Sequence, residues 1–134
     1  MSNGNDYQDS GFGALAGEGV ENHYKVTNRI SETGPDVIFS LPCDGCSRTL
    51  EIGVPWDELA VMANGLQPNG WIYERTAGGF MPNMTCTCRR ARVRLGINPD
   101  EAGRYLKSLV AAGKVSMAEV QRLNQQIAAR RGGG

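Results

Sequence analysis

Histidine is almost absent from this chain. His23 is the only one in 134 residues, and it stands beside a glycine-rich stretch where a surface role is the default. The commonest general base and nucleophile activator is therefore missing, and no serine or cysteine has a base visible nearby in sequence. Gly78-Gly79 is followed by neither the lysine nor the helix of a phosphate-binding loop. Asp57 and Glu58 are adjacent at a helix start, where carboxylates are expected because they complement the helix dipole. The expectation is a non-enzymatic protein with no small-molecule substrate.

Long apolar runs are also missing. None approaches 18 residues, so no transmembrane helix is expected. The opening MSNGNDYQDSGFG lacks the basic and apolar regions of a signal peptide. Aromatic residues make up 7% of the chain and hydrophobic residues 40%, which suits one domain with a lean core. The expected setting is a reducing cytoplasm, or a particle assembled there. In that setting four cysteines are more often metal ligands than disulfides.

Net charge is zero, but by cancellation. Residues 1–84 hold 4 basic and 11 acidic side chains, and residues 85–134 hold 10 basic and 3 acidic ones. Such asymmetry favours a polarised surface or an oriented contact with a partner. A head-to-tail electrostatic match, inside the fold or between copies, is the equal alternative.

What the chain does contain divides into four parts. Residues 1–22 are glycine-rich and read as a flexible N-terminal arm whose possible anchors are Tyr7, Phe12, Leu15 and Val20. Residues 23–96 read as a β domain. Alternation marks strands at Tyr24–Ile30, Val37–Leu41, Arg48–Val54, Trp71–Arg75 and Arg89–Leu95. Pro55–Met62 opens with proline and acids and reads as one short inserted helix that ends near Asn64-Gly65. Gly78-Gly79 reads as a turn or loop. Residues 97–131 read as a helical pair over 99–112 and 117–130. Asn98/Glu101 and Ser116/Glu119 supply capping boxes, Val115 and Val120 a hydrophobic staple, and Gly113 a C-terminal cap. Residues 132–134 are a glycine tail. The fold class expected is α+β.

All four cysteines fall in two short pairs, Cys43-Asp44-Gly45-Cys46 and Cys86-Thr87-Cys88, with 39 residues between Cys46 and Cys86. Two soft-ligand pairs from distant parts of a chain supply the tetrahedral set that zinc prefers. Gly45 allows a sharp turn in the first pair. In an extended chain, positions i and i+2 share a face, so Cys86 and Cys88 can reach one ion. A metal site at Cys43, Cys46, Cys86 and Cys88 is the expectation. Free core cysteines, disulfides and a rubredoxin-like iron centre are the alternatives. Four thiolates leave no open position, so a zinc ion there would be structural.

With each pair next to a strand-like segment, residues 36–95 resemble the zinc ribbon, whose two metal-binding loops project from β-hairpins. The match is partial: the second pair is Cys-Thr-Cys where the ribbon has Cys-x-x-Cys, and the insert is larger than a minimal ribbon needs. The resemblance implies a small antiparallel core around structural zinc.

Arg89, Arg90, Arg92 and Arg94 follow the last cysteine. On a strand, Arg90, Arg92 and Arg94 would share one face, and Arg89 would lie with Ala91, Val93 and Leu95 on the other. The arginines could meet phosphates of a nucleic acid or an acidic protein, with Trp71 and Tyr73 available to stack on bases, although core packing is the expected fate of Trp71. They could also damp the charge of a tetrathiolate site or simply guard an edge. The preferred expectation is a structural or adaptor protein, a zinc-stabilised subunit docking on protein partners through arm, basic strand and helical pair. A bacteriophage particle component or small accessory subunit fits that style. The alternative is a zinc-ribbon nucleic-acid-binding or transcription-associated protein.

Overall fold

The computed structural model describes residues 26–133, with side chains described through residue 130. The expected arm at 1–22, His23, the start of the first expected strand and the final glycine lie outside the described residues.

The chain is α+β. Strands β1 (Thr27–Ile30), β2 (Asp36–Pro42) and β3 (Thr49–Pro55) form an antiparallel sheet in the order β1-β2-β3. Register pairs Val37 with Val54, Phe39 with Ile52 and Leu41 with Leu50. The alternation seen in sequence is the alternation of burial: Val37, Phe39 and Leu41 point inward, and Thr49, Glu51 and Gly53 point out. Helix α1 (Trp56–Ala63) follows β3 directly, and its first N–H donates to the Pro35 carbonyl at 2.9 Å. Leu59, Ala60 and Met62 lie fully buried against the sheet and the later helices.

A second sheet pairs β4 (Trp71–Glu74) with β5 (Gly79–Pro82). A short 3₁₀ turn at Arg75–Ala77 joins them, with Gly78 in the left-handed region at φ 87°. The strand β5 was not expected. All four of its residues are buried, so it shows no period of two. Gly79 is required there: at φ 156° its bare Cα packs against the Ile97 backbone, where a Cβ would collide.

Helices α2 (Pro99–Ala111) and α3 (Met117–Gly133) complete the fold. Both capping boxes form. Asn98 Oδ1 accepts from the Glu101 N–H at 2.8 Å and Glu101 Oε1 from the Asn98 N–H at 3.0 Å, while Ser116 and Glu119 repeat the exchange at 3.1 and 3.2 Å. Gly113 closes α2 at φ 76°. Both helices pack on α1. Phe39 meets the Tyr105 ring edge-on at 5.2 Å, which docks α2 on the first sheet. One apolar cluster runs from Val37 and Val54 through Leu59, Met62, Phe80 and Val93 to Leu109 and Val120.

Candidate metal centre

Both cysteine pairs sit at hairpin tips. The β2–β3 hairpin closes with the Cys43 N–H donating to the Arg48 carbonyl at 2.9 Å, in the same register as the strands. The second hairpin runs from β5 back along residues 92–97. Bridges join Phe80 to Ile97 and Thr85 to Arg92, and its tip closes with the Cys86 N–H donating to the Ala91 carbonyl at 3.0 Å. Each tip is thus a six-residue turn that begins with a cysteine.

The turns also aim backbone donors at sulfur. Cys43 Sγ accepts from the Gly45 N–H at 3.2 Å, Cys86 Sγ from the Cys88 N–H at 3.5 Å, and Cys88 Sγ from the Arg90 N–H at 3.3 Å. Such bonds favour the thiolate. Across the tips, the Cys43 and Cys88 sulfurs are 3.7 Å apart and those of Cys46 and Cys86 are 3.9 Å apart. All four sulfurs lie within 4.8 Å of one another. The four thiols are free, so Cys43, Cys46, Cys86 and Cys88 are positioned to hold one metal ion.

Their surroundings set their acidity. The Cys88 N–H holds Cys86 down, with help from the neighbouring thiols, to about 7, although burial opposes this. The Gly45 N–H draws Cys43 down as well, but burial and the bonds shared with the other three sulfurs outweigh it and carry Cys43 up to about 11. Near neutral pH the cluster therefore keeps protons that a metal would displace.

Two expectations about the tips need correction. Gly45 is not in the left-handed region that demands glycine. Its role is space, because a Cβ at 45 would lie 2.5 Å from Arg90 Cβ and 3.2 Å from the Arg90 carbonyl carbon. Arg89–Leu95 is not one strand. Residues 89–91 belong to the turn, with Arg89 at φ 63°, and only from Arg92, opposite Thr85, does the chain run back, to reach β5 at the Ile97–Phe80 bridge. Arg89 is therefore exposed and does not share the inward face of Val93 and Leu95, which are 2% and 3% exposed. The left-handed residue within the second tip is what lets Cys-x-Cys close a turn; an arginine in that role gave no signal in the sequence.

Arg90, Arg92 and Arg94 are all exposed, Arg90 within the turn and Arg92 and Arg94 on the extended segment that follows it. Their heads are engaged with the protein itself. Arg90 Nη1 donates to the Gly45 carbonyl at 3.4 Å, Arg92 Nη2 donates to Asn83 Oδ1 at 2.8 Å, and Arg94 Nε lies 3.4 Å from Asp44 Oδ2. Arg48, not singled out from the sequence, donates from Nη1 to Thr87 Oγ1.

Trp71 is buried, and its Nε1–H donates to Glu58 Oε1 at 3.1 Å; burial of Glu58 raises its carboxyl above the usual range. Tyr73 is exposed and packs edge-on against Phe80, on the opposite side of the hairpin from Arg92 and Arg94. An open groove of about 320 Å³ lies elsewhere, lined by Val61, Leu66, Gln67, Ile127 and Arg130. No helix among the described residues is long and apolar enough to cross a membrane. No protein-family model matches the chain, and neither does any curated protein or solved structure.

Proposed function

We propose that this chain is a zinc-stabilised, non-enzymatic docking module, a zinc-ribbon-like subunit of a larger protein assembly. The observation that carries the reading is the closed four-sulfur cluster. Its cross-tip separations of 3.7 and 3.9 Å suit a tetrahedron with metal–sulfur bonds of about 2.3 Å, whose edges are about 3.8 Å. Four thiolates satisfy zinc's preferred coordination and leave no site for a reacting water, so the ion's role is structural. Bound zinc would contribute on the order of 10 kcal/mol of apparent folding free energy at neutral pH.

The docking part of the proposal rests on the exposed arginine rim around the tips and on the excess of basic residues after Thr85. A protein partner is favoured over nucleic acid because the exposed Tyr73 lies on the other side of the hairpin, so among the described residues no aromatic platform adjoins the basic rim. Size-exclusion chromatography with light scattering, together with titration of duplex and single-stranded nucleic acid at low salt, tests this. Assembly without nucleic-acid binding is expected. A lone monomer that binds either nucleic acid with a steep salt dependence would replace the proposal with the nucleic-acid reading.

A further inference from the structure

We infer that Arg48, Arg90 and Arg94 are positioning residues of the metal centre, each tying one cysteine tip to the other. The inference rests on the metal-site reading above and assigns these three guanidiniums a task within the fold in addition to any partner contact. Each crosses the gap and lands between the two cysteines of the opposite pair. Arg48, at the end of the first tip, donates to Thr87, which separates Cys86 from Cys88. Arg90, in the second tip, donates to the carbonyl of Gly45, which lies between Cys43 and Cys46. Arg94, just beyond the second tip, pairs with Asp44, which lies in that same interval.

The ties have a steric counterpart. Gly45 has no side chain where Arg90 Cβ and Ala91 Cβ press in, so the two turns can meet backbone to side chain. They also have an electrostatic consequence. Four thiolates around a divalent ion carry a formal excess of two negative charges, and three cations held at the rim offset it. Arg92 is the internal control. It bonds Asn83 within its own hairpin and ties nothing across the gap. Among the described residues Arg89 makes no cross-tip bond either.

The test uses the full chain, with zinc affinity measured by competition with a chromophoric chelator and site geometry by the cobalt(II)–thiolate absorption. Arg48→Ala, Arg90→Ala and Arg94→Ala should each weaken zinc binding roughly 2- to 5-fold, the size expected of a solvent-exposed tie. Arg92→Ala should leave it unchanged. Asp44→Ala combined with Arg94→Ala should weaken binding no more than either alone, because the two act as a pair. Should Arg94→Ala fail to fold, Arg94→Lys and Asp44→Asn probe the same tie with smaller changes. Equal zinc affinity across all four of these arginine-to-alanine variants, with helical circular dichroism intact, would overturn the inference while leaving the metal site standing. A wild-type chain that takes up neither zinc nor cobalt would remove the metal-site reading itself and this inference with it.

Discussion

At the helical end of the molecule, Leu59, Met62 and Leu109 are completely buried and α1 is the surface on which α2 and α3 both rest. At the hairpin-tip end, two turns of six residues meet around four thiols. Cys43 and Cys86 are buried there, yet neither belongs to the contiguous apolar cluster. One end coheres by removing apolar area from water. The other brings four sulfurs and three cationic cross-ties together and has little apolar surface with which to offset the entropy of ordering its loops. The comparison teaches where a metal would matter: under the proposed zinc-site reading the helical end holds without one, whereas the tips would depend on it.

Removing the metal should therefore break the symmetry between the ends most strongly. Chelation, or Cys43→Ser, is expected to abolish amide exchange protection in residues 43–48 and 86–91, at an apparent cost on the order of 10 kcal/mol to the metal-bound state. Protection in α2 should outlast it. Hydrogen exchange followed by mass spectrometry reads both ends in one experiment, and equal loss everywhere would erase the distinction.

Acid should act on the tips in the same direction. Zinc binding requires thiolates, and Cys86 ionises at about 7 while Cys43 is raised to about 11. Uptake above neutrality should release a proton from Cys43, and affinity should fall further as pH drops through 7 and Cys86 is protonated too. Calorimetry in buffers of different ionisation enthalpy counts the protons. The same acidification should leave α2 in place.

At the helical end, Leu109→Ala should cost about 2–5 kcal/mol, because the residue is fully buried and its neighbours cannot all collapse into the cavity. Denaturant unfolding measures it, and zinc affinity should not change. Between the two ends in size is Gly45→Ala, which places a methyl 2.5 Å from Arg90 Cβ. Forcing the tips apart should cost roughly 1–3 kcal/mol of overpacking strain. It should also weaken metal binding, which no substitution in α2 should do. The smallest effect expected is Asn98→Ala, about 1 kcal/mol from one lost capping bond.

The same division governs how much of the structure is legible in the sequence. Helix α2 was legible because its signals are local: Asn98, Pro99 and Glu101 announce the start, Gly113 the end, and the observed helix is Pro99–Ala111. β2 and β3 were legible because one face of each is wet. β5 was not, because Gly79, Phe80, Met81 and Pro82 are all buried and carry no alternation. At the tips, the four cysteines were legible by type and spacing. Their cross-ties were not. Arg48 to Thr87 and Asp44 to Arg94 join positions with no local relation, and the left-handed Arg89 has no glycine to mark it. Gly45 is legible as a turn residue, but the close approach of Arg90 that its small size allows is not.

Metal stoichiometry of the purified full chain, by native mass spectrometry alongside elemental analysis, tests the central claim most directly. The account predicts about one zinc ion per chain, bound by four thiolates and lost in Cys86→Ser. A folded, metal-free chain carrying two disulfides, or four thiols that never take up zinc, would contradict it.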